Sequence, residues 1–255
     1  MPLLILFIIF ANPFFFGLFI LLVGGLALNE YYGMALGKER AAIKGLSVLT
    51  GMALMFFLNH GESWALPCFL SSLFIFFGIV FLFNFRDLAK VVHEMGLVFL
   101  GFIYIPLLLG HLTLLREISY GRQWIFFVLI CVMFCDSAAY FTGVTLGKRK
   151  LYPAISPNKS VEGALGGIVG SLLGASIARY FFFAELSWFD VLFLGVCLGV
   201  LGQLGDLFES MLKRSFGVKD SGRLVPGHGG ILDRLDSLLF AFAPVYYYGF
   251  LIFKG

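Results

Sequence analysis

Five acidic residues, Asp206, Glu209, Asp220, Asp233 and Asp236, fall within 31 positions near the end of the chain, interleaved with Lys213, Arg214, Lys219, Arg223, His228 and Arg234. The stretch reads GDLFESMLKRSFGVKDSGRLVPGHGGILDRLDS. On a helix over about 190–214, Asp206, Glu209, Ser210 and Lys213 share one face at i, i+3, i+4 and i+7. A helix starting near Ile231 puts Asp233 and Asp236 on one face of its first turns, where acids also suit the helix dipole. Capping is the bland reading of that pair. Carboxylates on two adjacent helix ends can instead converge on a divalent cation as hard oxygen ligands, so metal binding is expected here.

Between the acids lies Pro226-Gly227-His228-Gly229-Gly230. Its glycines permit positive φ and close approach of backbone N–H groups to an anion, which, with the basic neighbours, suits phosphate. His228 contacts phosphate or moves a proton on this reading, and caps the turn on the bland one. A second polar segment, GKRKLYPAISPNKSVEG, spans Gly147 to Gly163. Lys148, Arg149 and Lys150 resemble a headgroup anchor. Ser156-Pro157-Asn158-Lys159-Ser160, before Glu162, combines hydroxyl, amide and ammonium donors suited to a nucleotide or phosphate. Asp136 sits in the apolar run CVMFCDSAAYFTG, where a charge needs a partner or a cavity. His60, His93 and His111 lack a second ligand at metal spacing. G-x-S-x-G, Walker and H-E-x-x-H sequences are absent, so hydrolase, P-loop and zincin readings have no local signal.

The elements that must carry these side chains follow from composition. Of 255 residues 60% are hydrophobic and 13% charged, and the mean hydropathy is +0.96. A soluble domain carries roughly 25% charged residues, so most of the apolar surface must face lipid. Apolar runs at about 3–28, 45–58, 64–85, 97–115, 124–146, 164–183, 188–206 and 231–253 are continuous and too long for barrel strands. Asn12-Pro13 interrupts the first, giving two helices or a re-entrant hairpin. The expected fold is an all-α polytopic membrane helix bundle with about 8 or 9 transmembrane helices, a single integral membrane domain over 1–255. The runs of Phe at 14–16, 126–127 and 181–183 are lipid-facing filler.

Drawn as successive crossings, the runs put fourteen Lys and Arg on one side and four, Arg116, Arg122, Arg179 and Lys254, on the other. The positive-inside rule places the fourteen, with both long polar loops, in the cytoplasm. Net charge is only +3, without a basic stripe, so no nucleic-acid partner is expected. Cys68, Cys131, Cys135 and Cys197 read as small hydrophobes. The N-terminal MPLLILFIIF lacks the charged region and cleavage site of a removed signal peptide.

Ser210-Met211-Leu212-Lys213-Arg214, then after four residues Lys219-Asp220, then Pro226-Gly227-His228-Gly229-Gly230-Ile231-Leu232-Asp233-Arg234-Leu235-Asp236, resembles the signature of phosphatidate cytidylyltransferases, also called CDP-diacylglycerol synthases. Val225 stands where that pattern usually has Leu, Ile or Phe. The likeness extends upstream through DSAAYFTG and GKRKLYPAISPNKSVEGALGG, where Asn158 and Ser160 occupy positions commonly Lys and Thr. It is carried by 120–255, the part holding the nucleotide, metal and signature segments. The resemblance implies transfer of CMP from CTP to phosphatidate with Mg²⁺, at the cytoplasmic side of a bacterial inner membrane, with a second metal ion and a homodimer left open. Under it Asp206 and Asp233 hold the metal, with Asp236 and Asp220 as second choices. Lys213, Arg214, Lys219 and Arg234 bind phosphate, alongside His228. Asp136, Lys148, Ser156, Lys159 and Glu162 shape the CTP site. Competing readings are a CTP-dependent enzyme on another lipid acceptor and a membrane transporter; the latter leaves unexplained why polar residues gather in two loops and not at mid-membrane.

Overall fold

The computed structural model describes residues 2–60, 64–224 and 229–253. Its helices are α1 (Pro2–Phe10), α2 (Pro13–Ala35), α3 (Ala41–His60), α4 (Ala65–Asn84), α5 (Val91–Phe102), α6 (Leu108–Glu117), α7 (Gly121–Leu146), α8 (Val161–Phe181), α9 (Trp188–Ser215) and α10 (Asp236–Leu251). The all-α membrane architecture holds. Seven helical runs among the described residues are long and apolar enough to cross a membrane, fewer than the eight or nine expected. The shortfall lies at the ends: α1 has 9 residues and α10 has 16, about 14 and 24 Å at 1.5 Å per residue. The break at Asn12-Pro13 occurs as expected. The Asn12 side chain accepts the Phe15 N–H at 2.9 Å and Pro13 takes the first helical position, where its missing donor costs nothing.

One compact unit comprises Ala11–Thr113 with Asp220–Leu232. Within it the Tyr31 and Tyr32 hydroxyls of α2 donate to the Leu97 and Val98 carbonyls of α5 at 3.0 and 2.8 Å. Arg40 is buried, paired with Glu94 at 2.6 Å and donating to the Asn84 carbonyl at 2.7 Å. Between α5 and α6, Ile103–Leu107 winds as a π-turn around Pro106, which has no N–H to give to an α-helical ladder.

The other unit comprises Met1–Phe10, Leu114–Lys219 and Asp233–Gly255. Here α7, α8, α9 and α10 pack through small residues. On α8, a Cβ at Gly163, Gly170 or Gly174 would stand 2.9, 2.4 or 3.1 Å from a backbone oxygen of α7, so the two helices touch backbone to backbone. On α9, Gly195 and Gly199 face α8 in the same way, and a Cβ at Gly205 would meet the Asp236 carbonyl at 2.5 Å. One end of this unit is closed by aromatic rings, with Trp124 4.7 Å from Phe183 and 5.2 Å from Phe253, centroid to centroid. At the other end the last turns of α7 and α9 meet the first turns of α8 and α10.

Two local expectations are corrected. The segment before α8 is not plain loop: β1 (Lys150–Tyr152) pairs antiparallel with β2 (Ser156–Ser160), Lys150 opposite Ser160 and Tyr152 opposite Ser156. Ser160 then caps α8, its hydroxyl accepting the Gly163 N–H at 3.1 Å. Asp233 and Asp236 do not share a helix. Leu232–Arg234 forms a tight 3-10 turn, and α10 starts only at Asp236; Gly229, just before the turn, has a φ of +87°, which favours glycine.

Candidate active site

The acidic stripe of α9 forms as its spacing requires. Ser210 Oγ lies 3.4 Å from Asp206 Oδ1, and Lys213 Nζ lies 2.9 Å from Glu209 Oε2, each pair one helical turn apart. Two cations tie this stripe to neighbouring elements. Lys159, at the end of β2, reaches Asp206 Oδ2 at 2.6 Å. Lys213 reaches Asp233 Oδ1, also at 2.6 Å. Both lysines are placed by local chemistry: the hairpin and the Ser160 cap fix one, and helical register on α9 fixes the other.

Asp136 of α7 is exposed and lies within Coulombic reach of Asp206 and Lys159. Asp236 at the start of α10 feels Asp206, Asp136 and Lys213, and its Oδ1 accepts the Ser237 N–H at 2.7 Å. Asp136, Lys159, Asp206, Lys213, Asp233 and Asp236, singled out in the sequence, therefore stand together with Glu209. Glu162 accepts the N–H groups of Lys148 and Arg149 at 3.0 and 3.2 Å, holding the entry of the hairpin against the first turn of α8. Ser156 lies half-buried on β2, while the Lys148 side chain points outward, exposed. Arg214 in the last turn of α9 and Lys219 beyond it are exposed, Arg214 donating to the Val218 carbonyl at 3.3 Å. Arg234 is exposed in the 3-10 turn, and Asp220 is exposed in the other unit. Pro226, Gly227 and His228 lie outside the described residues.

Five carboxylates, Asp136, Asp206, Glu209, Asp233 and Asp236, face two ammonium groups in this cluster. Glu209 is fully buried, and its Oε1 takes no hydrogen bond among the described residues. Excess negative charge and an orphaned carboxylate oxygen suit a hard cation. No three His, Cys, Asp or Glu side chains among the described residues form a metal-holding group by themselves. Lys148, Arg214, Lys219 and Arg234 are exposed cations of the same unit.

A model described as "Cytidylyltransferase family" matches residues 1–252. The chain belongs to the cytidylyltransferase family. It is similar to the phosphatidate cytidylyltransferase of Bacillus subtilis (strain 168), 38% identical over 249 residues that make up 95% of this chain and 91% of that protein. The protein of the same name from Staphylococcus saprophyticus is 38% identical over 231 residues, 88% of this chain and 85% of that one. The one from Staphylococcus aureus (strain COL) is 36% identical over 223 residues, 84% and 82% respectively. Sequence reasoning missed Glu30 of α2, which accepts hydrogen bonds from Ser221, Ile231 and Leu232. Its signal was available: an acid inside a helix whose other residues are apolar or small and polar.

Proposed function

We propose that this protein transfers CMP from CTP to phosphatidate, forming CDP-diacylglycerol and releasing pyrophosphate, with Mg²⁺, on the cytoplasmic side of a bacterial cell membrane. A phosphate oxygen of phosphatidate forms a bond to the CTP α-phosphorus, and the bond from that phosphorus to the β-phosphate bridging oxygen breaks. The second pKa of a phosphate monoester is about 6, so the acceptor is largely a dianion at neutral pH and needs no protein base. What opposes the reaction is repulsion between two anions.

The observation that carries this reading is the cluster of lysines and carboxylates on α7, β2, α9 and the Leu232–Arg234 turn. Lys159 and Lys213 neutralise phosphate charge, with Arg214, Lys219 and Arg234 at the rim. Asp206 and Asp233 are the residues that would hold Mg²⁺, Asp236 standing next in line; the ion supplies charge neutralisation and orientation of the attacking and leaving oxygens. Asp136, Lys148, Ser156 and Glu162 shape the nucleotide side, Glu162 by holding the hairpin. The test is transfer of label from [α-³²P]CTP into lipid by protein purified in detergent, offered phosphatidate, an isoprenoid alcohol or an archaeal lipid phosphate in turn. Label enters lipid with phosphatidate; labelling of another acceptor alone would overturn the assignment of substrate.

A further inference from the structure

Glu30 lies near the end of α2 with 6% of its surface exposed, a carboxylate in an apolar helix for which the reaction above has no use. Its partners are specific. Oε1 accepts the Ile231 N–H at 3.1 Å, while Oε2 accepts the Leu232 N–H at 2.9 Å and the Ser221 hydroxyl at 3.1 Å. Those donors lie 191 to 202 positions away in sequence and bracket the segment 221–232 at both ends. The backbone is pressed onto the carboxylate: a Cβ at Gly222 would stand 2.4 Å from Oε1, and one at Gly230 2.3 Å from Oε2. Leu232 is fully buried, so water is no substitute acceptor for its N–H. A buried carboxylate is costly unless several donors satisfy it, and here three do.

Leu232 opens the turn that carries Asp233 and Arg234. We infer that Glu30 is a positioning residue of the transferase: from α2 it clamps both ends of the 221–232 segment and thereby fixes the backbone from which Asp233 and Arg234 project. The catalytic part of this inference rests on the function proposed above, whereas the clamp itself rests on hydrogen bonds alone. Displacing a reacting group by about 1 Å can cost a hundredfold in rate, so the clamp acts on turnover through Asp233 without touching substrate.

The experiment uses the full-length protein in detergent and compares the natural chain with Glu30→Gln, which keeps shape but turns an amide NH₂ toward N–H donors. Hydrogen exchange of the peptide covering 229–235 is measured beside kcat and KM for CTP. The expected result is exchange roughly ten- to a hundredfold faster in that peptide, unchanged exchange in α7 and α8, and kcat lowered by roughly tenfold or more with KM for CTP within about twofold. Unchanged exchange would overturn the clamp, and faster exchange with undiminished kcat would overturn the positioning role. If Glu30→Gln fails to fold, Ser221→Ala decides by the same readouts: faster exchange with lower kcat supports the inference, and neither change overturns it. An inactive natural chain would contradict the cytidylyltransferase reading instead, leaving the exchange data to judge the clamp.

Discussion

Lys213 is the residue on which the charge balance of the site turns. Its ammonium group joins Glu209, 1% exposed at the side chain, to Asp233, 8% exposed. Removing one partner of a buried ion pair leaves an uncompensated charge, costing about 3–5 kcal/mol. Lys213→Met is therefore expected to lower the unfolding midpoint in detergent and to abolish transfer. The double variant Lys213→Met with Glu209→Gln should recover much of the stability and none of the activity; recovery of neither would show that the cost arises elsewhere. Asp233→Asn predicts a different split. It leaves the Lys213–Glu209 pair intact, so the protein stays folded in membrane while turnover falls to background, and near-normal activity would remove Asp233 from the metal site. Most of these residues were legible because their spacing is helical: Asp206, Glu209, Ser210 and Lys213 recur along one face of α9, and α9 is helical over Trp188–Ser215. Lys159 was recognised as a phosphate donor, but its bond to Asp206 spans 47 positions and has no periodicity to announce it. The bonds of Glu30 have no periodicity either, at greater range, so only an acid within an apolar run pointed to it.

At the scale of elements, the glycines of α8 set how near α7 and α8 come, and the hairpin before α8 carries Lys159. A Cβ at Gly170 would lie 2.4 Å from both the Phe134 carbonyl and Ala138 Cβ, so Gly170→Ala must separate the helices. Overpacking of this kind costs about 1–3 kcal/mol; the thermal midpoint of the variant should fall accordingly, and transfer with it, while Gly17→Ala, at a position with nothing within 4 Å, should change neither. Ser160→Ala removes the cap of α8 and should cost about 1 kcal/mol. The helices were legible from continuous apolarity, and the break at Asn12-Pro13 from proline chemistry. The hairpin was not, since Lys150–Tyr152 is three residues long and its pairing with Ser156–Ser160 is decided by the turn between them, not by alternation. The 3-10 turn at Leu232–Arg234 was hidden likewise, because helix dipole arguments locate acids near a helix start without fixing which residue starts it.

For the whole molecule, the governing fact is that apolar helices leave polar chemistry only the ends of the bundle. The meeting of the last turns of α7 and α9 with the first turns of α8 and α10 puts the carboxylates and lysines at one end of their unit, the end that we propose faces the cytoplasm on the distribution of Lys and Arg. That assignment predicts a labelling pattern: in a protein lacking the exposed Cys68, Lys150→Cys should react with a membrane-impermeant thiol reagent in inside-out vesicles only, and Arg122→Cys in right-side-out vesicles only. The reverse pattern would invert the topology and put the site out of reach of cytoplasmic CTP. The central claim is the reaction itself, and release of labelled pyrophosphate from [β,γ-³²P]CTP by the purified protein, with and without phosphatidate and Mg²⁺, tests it most directly. Release that requires both is the predicted result; a folded sample that releases none, or releases it without phosphatidate, would contradict the account.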